Sequence, residues 1–500
     1  MALPSTTMLV TFVTLYLLVT IGIGWYAARR VHDATDYFAA GRSLPLYMNF
    51  ATVFATWFGA ETMLAVSSTF LADGLHGVVA DPFGASVALI LVALLFARPF
   101  YRLNLLTIGD FYRKRYNQTV ELGTGVAIML SYLGWASANL VALGICFSVL
   151  SRGAIPLDTG IMAGAAVVIV YLLFGGMFAV AFTDLFQTVM IVLGLLYIAT
   201  LLGGEAGGVG AVVSAAAEQG KFVVLPSLGP RDVLAVVAAF MTMALGSIAQ
   251  QDVFQRVTSA KDEHTAVRGT LLGGCFYLVF AFVPMFIAVS AFLIDPGMVK
   301  SMLAGDDNQF QLILPTLILD HTPLFTQVLF FGALLSAILS TASGALMAPT
   351  AIFSENVFKP LMGGRLSDRQ LLVTGRIVLV LFTLCVMLFA LSSDSSMYSM
   401  VQNAYKVTLV AAFPPIAFGM FWKRATSQGA LASIVLGLVA WIGMEQIAPS
   451  AAIPPQLVGL AFAVAGIVAG SLAPQWLREP GHPQIVDDAR RAPGGIARQS

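Results

Sequence analysis

Runs of about twenty apolar residues recur along this chain from end to end, and a helix needs about that many to cross the hydrocarbon of a bilayer. Thirteen such segments are predicted, near 8–28, 46–71, 78–97, 120–149, 158–177, 179–203, 232–254, 268–293, 324–357, 371–391, 396–421, 428–448 and 456–475. Only 10% of the residues are charged, against about 25% in a soluble domain. A chain of this kind cannot be kept in water. The connecting segments are too short for a second domain, so residues 1–475 read as a single membrane domain. The tail 476–500, with Pro480, Pro483, Pro493 and several arginines, reads as disordered and cytoplasmic.

Charge matters here by position. The 26 basic and 26 acidic residues cancel, which gives no reason to expect a nucleic acid or an anionic surface as partner. With the N-terminus outside, 21 lysines and arginines fall in inner segments and four in outer ones, Arg152, Lys221, Arg231 and Lys300. Cytoplasmic loops carry this excess in membrane proteins. The expected location is the cell inner membrane, with the C-terminus cytoplasmic. The first apolar run is followed by Arg29 and Arg30 instead of a small-residue cleavage site, so it should persist as a helix. Cys146, Cys275 and Cys385 lie in apolar runs without a CxxC pair and read as small core residues. The five histidines fall in loops or the tail and no acidic cluster suits a catalytic metal, which argues against an enzyme.

Several polar groups sit at membrane depth. Thr56, Gly59, Glu61 and Thr62 interrupt span two, as in a discontinuous helix whose freed carbonyls line a site. Ala337, Ser340 and Thr341 stand at i, i+3 and i+4, so one helix face can offer a carbonyl and two hydroxyls to a hard cation. On residues alone, hydroxyls bonded back to their own helix remain the alternative. Asp184 lies toward one end of span six, as a functional carboxylate or an interfacial helix-start residue. Glu61 and Lys406 are opposite charges inside spans two and eleven. They are expected to pair, as a gate or as a clamp for a zwitterion, unless Lys406 snorkels to the headgroups. Trp57 and Trp135 lie deep in their spans and suit an organic cation, since indole is the best cation-π partner. Gln250, Gln251 and Asp252 add polar groups to span seven, and Asn139 and Tyr405 are weaker candidates.

The stretch Gly175-Gly176-Met177-Phe178-Ala179-Val180-Ala181-Phe182-Thr183-Asp184 resembles the GGxxAVxxTD signature of the sodium/solute symporter family, the solute carrier 5 type. Asp36-Tyr37-Phe38-Ala39-Ala40-Gly41-Arg42, Phe254-Gln255-Arg256 and Ser336-Ala337-Ile338-Leu339-Ser340-Thr341 agree in order and spacing. The resemblance implies an all-α membrane protein of thirteen helices with a leucine-transporter-type 5+5 inverted-repeat core. The repeats would occupy 46–203 and 232–421, after a first helix at 8–28 and before two last helices at 428–475. It also implies Na+ held by carbonyls of Ala55, Phe58 and Ala337 and hydroxyls of Ser340 and Thr341. Asp184 and Ser343 would serve a second ion or the exit route; Gly344 removes a ligand of that second site, so one sodium is expected. Ala55-Thr56-Trp57-Phe58-Gly59 and Gly134-Trp135-Ala136 look like the high-affinity choline transporter branch, from which Gln250 and Glu61 depart.

The implied function is sodium-coupled symport of a small organic solute into the cell by alternating access, a zwitterionic or cationic amine being favoured. Trp57, Glu61, Thr62, Trp135, Gln250 and Lys406 are the expected solute contacts. A proton-coupled symporter of a small carboxylate or amino acid is the alternative, with Asp184, Glu61 and Asp252 titrating. A transporter-like membrane sensor ranks below both, and no obligatory protein partner is evident.

Overall fold

The computed structural model describes residues 4–225, 229–305, 307–364, 366–393, 395–449 and 451–477. All but the first two residues of the expected tail therefore lie outside the described residues. Within them the chain is helical, without a β-strand; a lone bridge joins Leu44 to Ala260. The helices that matter here are α1 (Pro4–Ala28), α2 (Leu46–Trp57), α3 (Glu61–Asp73), α4 (Leu75–Arg102), α5 (Ile108–Arg115), α6 (Gln118–Leu150), α7 (Leu157–Glu205) and α8 (Pro230–Gly246). They continue with α9 (Gln251–Ser259), α10 (Glu263–Ile294), α11 (Leu324–Ile352), α12 (Asp368–Ser392), α13 (Met397–Ala411), α14 (Phe413–Phe421), α15 (Ser427–Ile447) and α16 (Pro455–Leu472).

By length and hydropathy, ten helices among the described residues can cross a membrane, or twelve if each of two bent pairs is one span. Thirteen were expected, and the difference of one lies in α7. That helix runs for 49 residues, far more than the roughly 20 a crossing needs. Gly176 in its interior is not helical, at φ 49° and ψ −141°. The bent pairs are α2 with α3, at 56°, and α13 with α14, at 42°. Pro414 and Pro415 open α14, where missing amide donors make a break natural. A further interruption parts α8 from α9, where Gln250 is extended at φ −84° and ψ 140°.

Local chemistry fixes the helix starts. Thr107 and Asp110 form a reciprocal capping box on α5, and the Asn117 side chain accepts the Val120 amide at the start of α6, each supplying a partner to otherwise orphaned amides. The short α5 closes the lysine- and arginine-rich end of the bundle. Asn356 accepts from the Thr107 hydroxyl (2.6 Å) and donates to Asp110 (3.0 Å) and Glu121 (2.8 Å). The Arg115 guanidinium donates to the Gly419 carbonyl at 2.9 Å, and Tyr112 and Tyr116 donate to the carbonyls of Ala412 and Pro415.

The exposed apolar side chains encircle the bundle, including Leu18 on α1, Leu94 on α4, Leu193 on α7, Val279 on α10, Leu388 on α12 and Val439 on α15. Such a surface is matched by lipid and not by water. Cys146 is buried, but Cys275 and Cys385 face outward, so two of the three cysteines are not core residues. Thiols of that kind are compatible with hydrocarbon, which is why composition did not separate them.

Gly176 shows how closely the bundle is packed. A Cβ there would lie 2.5 Å from both the Tyr37 carbonyl oxygen and its ring, at a positive φ. Gly176→Ala should lose about 1–3 kcal/mol to backbone strain alone and lower the unfolding midpoint of purified protein. Gly22, with nothing within 4 Å of its Cβ position, should tolerate the same change within about 0.5 kcal/mol.

Candidate ion and solute site

The site begins where α2 ends. Phe58 leaves helical geometry at φ −81° and ψ 79°. Its amide still reaches the Phe54 carbonyl at 2.9 Å, but the Gly59 amide turns back to Trp57 at 3.0 Å. In an unbroken helix that amide would bond Ala55, so the Ala55 carbonyl is freed. A Cβ on Gly59 would sit 2.5 Å from the Thr341 hydroxyl oxygen. Only glycine lets α11 press its hydroxyl face against the break.

That face is fully internal. Ala337 and Ser340 are buried, and Thr341 is 3% exposed. Ser340 donates to Asp184 at 2.6 Å, which leaves the lone pairs of its oxygen available. The Thr341 hydroxyl is buried without a hydrogen-bond partner in the protein, an arrangement that costs about 1–3 kcal/mol unless something else is bound. Ser343 turns back onto the Ser340 carbonyl at 2.7 Å. Asp184 is wholly buried, with one oxygen unpartnered. It lies well inside the second half of α7, so the interfacial helix-start alternative does not describe it.

Trp57, Gly59, Ala60, Glu61, Trp135, Ala138, Asn139, Thr341, Met397 and Val401 line a narrow space beside the break. The Trp57 ring lies 6.2 Å from Trp135 and 6.1 Å from Tyr405, and Trp135 is 6.2 Å from Tyr405. Aromatic walls at these separations attract one another favourably. Glu61 and Thr341 thus reach the same cavity. Asn139 donates to the Trp135 carbonyl at 2.9 Å.

Three expected solute contacts lie elsewhere. Lys406 approaches Glu445 of α15 at 3.6 Å and does not pair with Glu61, whose Oε1 is buried without a partner. The two charges stand on neighbouring spans, but α13 turns Lys406 toward α15, where both partners keep some access to the surface. Gln250 bonds Ser131 and approaches Thr408 at 3.4 Å; it is held at the helix interruption, off the cavity wall. Thr62 points away, toward the Tyr277 hydroxyl at 2.9 Å and Asp81 at 3.3 Å.

Asp81 and Tyr277 were missed. Tyr277 donates to Asp81, which is 3% exposed and lies next to Glu61 through Thr62. The rule that singled out Glu61, a carboxylate inside an apolar run, applies equally to Asp81 within Val79–Gly84. Arg256 was noted only as part of a motif, though its Nε donates to Thr56 at 3.0 Å within the site. Its remoteness in sequence hid that contact.

A helical membrane bundle with interrupted helices, one break lying against the hydroxyl face of a neighbouring helix, is the architecture of a secondary transporter. The sequence profile of the sodium:solute symporter family matches residues 37–437, and the chain belongs to that family. Sodium is accordingly its coupling ion. The chain is 25% identical to the sodium/proline symporter of Escherichia coli K12 over 492 residues, covering 94% of this chain and 93% of that one. It is 23% identical to high-affinity choline transporter 1 of Caenorhabditis elegans, over 86% and 76% of the two chains. It is also 26% identical to a sodium/glucose cotransporter of Vibrio parahaemolyticus, over 85% and 82%. A substrate-bound, outward-open sodium-coupled sialic acid symporter shares the fold, with a TM-score of 0.80 over 93% of this chain and 97% of that one at 19% identity. A closed nucleobase-cation-symport-1 transporter follows at TM-score 0.59, 15% identity, 90% and 98% covered.

The pairing of Lys406 predicts the outcome of charge swaps. Lys406→Glu should lower the unfolding midpoint slightly, by less than about 1 kcal/mol for a partly exposed pair, and adding Glu445→Lys should restore it. Combining Lys406→Glu with Glu61→Lys should restore nothing, in thermal unfolding or in sodium-driven uptake.

Proposed function

We propose that the chain carries a small cationic or zwitterionic amine into the cell together with sodium, by alternating access, from an inner membrane in which its N-terminus faces outward. One observation carries this reading. The unpartnered Thr341 hydroxyl, which with Ser340, Ala337, Ala55 and Phe58 forms the proposed sodium ligand set, opens onto the same cavity as Trp57, Trp135 and Glu61. An ion at the break and a solute in that cavity would share the wall formed by Gly59.

Coupling follows from that wall. Sodium would draw the carbonyls of α2 toward the hydroxyls of α11 and so favour one arrangement of the two helices; a solute resting on Trp57 and Glu61 reads the same arrangement. A ligand shifts an equilibrium only through such a difference in affinity between states. The side chains lining the cavity include a carboxylate and two indoles and no basic group, which suits an ammonium, with cation-π contact reaching about 2 kcal/mol when desolvated. With an inside-negative potential, each inward charge gains about 2.3 kcal/mol per 100 mV.

The two ends of the bundle differ in how they are closed. At the end opposite α5, a cavity of about 160 Å³ is bounded by Ser68, Thr69, Asp73, Gln311, Ser396 and Tyr398, among others. The basic end is closed by the contacts of Asn356, Arg115 and Tyr112. This supports entry from the end that the arginine and lysine distribution assigns to the outside.

Thr341→Ala and Ser340→Ala should each raise the sodium concentration for half-maximal uptake. Loss of one oxygen ligand at about 1–3 kcal/mol corresponds to roughly 5- to 150-fold. Uptake into vesicles at fixed pH, in sodium against potassium, is the measurement; equal sodium dependence in both variants and the parent would defeat the assignment. The solute class is checked by thermal unfolding with choline, glycine betaine, proline, acetate and glucose. An amine should stabilise more in sodium than in potassium.

A further inference from the structure

Three arginines gather on aromatic rings around the bend of α7. The Arg30 guanidinium lies 4.9 Å from the Phe182 ring, and that of Arg29 lies 4.8 Å from Trp25 at the end of α1. Arg376 of α12 stands 5.4 Å from Phe174 and 6.0 Å from Tyr37, whose carbonyl oxygen is 2.5 Å from the place a Cβ would take on Gly176. Phe174 and Phe182 flank Gly176 in the same helix. Arginines of α1 and α12 therefore converge on one bend, and both helices pack on α7.

Arg376 is the telling member of the group. It stands eight residues past Asp368, about 12 Å along α12 at 1.5 Å per residue, within a segment apolar enough to cross a membrane. Arg29 and Arg30 are exposed beyond the end of α1, but a guanidinium at the depth of Arg376 is costly without an anion. Its Nε is buried without a hydrogen-bond partner. No ion pair among the described residues includes Arg29, Arg30 or Arg376. The nearest carboxylates along the chain are engaged locally: Asp33 accepts the Asp36 amide at 2.7 Å, and Asp36 accepts the His32 amide at 3.0 Å. Ring faces attract a guanidinium but offer its N–H groups no oxygen.

The surface beside these arginines is suited to lipid. Trp25 is 66% exposed, Tyr26 52% and Phe174 50%, and aromatic rings of this kind collect at headgroup depth. A water-borne anion would leave those rings uncovered. A phospholipid brings a phosphate and apolar chains together.

We propose that the surface formed by the end of α1, the bend of α7 and α12 binds the headgroup of an anionic phospholipid from the leaflet at the basic end. Arg376 and Arg30 hold its phosphate, and its acyl chains cover Phe174 and Trp25. Basic pockets between transmembrane helices bind such headgroups, and the planar guanidinium matches two phosphate oxygens. The bound lipid fastens α1 and α12 to the bend between them. The proposal is independent of the sodium and solute readings.

Phosphatidylglycerol is the probe. The full chain, purified in a neutral detergent, is unfolded thermally with added phosphatidylglycerol and, separately, with phosphatidylcholine at the same mole fraction. Phosphatidylglycerol should raise the midpoint of the parent more. That excess should shrink in Arg376→Gln, vanish when Arg30→Gln is added, and persist in Lys114→Gln, which removes an exposed charge of α5 at the same end. No excess in the parent, an equal excess in the parent and the double variant, or an equal loss in Lys114→Gln overturns the proposal, the last because it would mark a diffuse surface potential. Inorganic phosphate at matched ionic strength should leave the midpoint unchanged. If phosphate reproduces the lipid effect, the occupant is a soluble anion and the lipid assignment falls. Should variants of Arg376 fail to fold, Arg30→Gln alone decides, and an excess as large as the parent's overturns the proposal.

Discussion

The meeting of the α2 break with the hydroxyl face of α11 is the contact on which the site depends. A continuous helix satisfies its own carbonyls and has nothing to offer a cation. At Phe58 and Gly59 the ladder stops, and the missing side chain of Gly59 brings Thr341 against the exposed backbone. Lipid cannot hydrogen-bond such groups, so the break can exist only inside the bundle. Burial by the neighbouring spans is therefore what makes an oxygen-lined site possible at this depth.

Charge inside the bundle is arranged by role. Asp184 bonds Ser340, one of the proposed ion ligands, and Asp252 bonds Tyr132, while Asp81 beside Glu61 is held by Thr62 and Tyr277. Lys406, the one lysine expected within a span, is drawn away to Glu445. The cavity consequently has a carboxylate without a basic counterpart. That asymmetry, more than the aromatic walls, is the feature on which the proposed amine substrate rests.

The ends of the bundle are held differently. At the basic end, hydrogen bonds through Asn356, Arg115 and the tyrosines of α5 tie that short helix to α6, α14 and the turn after α11. The opposite end has open space beside α3 and α13. A transporter must exchange these conditions, and polar contacts between separate helices can be broken one set at a time, whereas close apolar packing resists gradual deformation.

The sequence by itself determined the membrane class, the recurring spans, the interruption near Gly59, the shared face of Ala337, Ser340 and Thr341, and the charge asymmetry between the two ends. Each is a local or periodic property, set by length, hydropathy or helical spacing. Tertiary structure decided what touches what. It paired Lys406 with Glu445, held Gln250 and Thr62 off the cavity, placed Asp81 beside Glu61, and brought Arg256 to Gly344 across 88 positions of chain. The direction in which a buried polar side chain points depends on which neighbouring helix offers it a partner, and no spacing within its own helix encodes that.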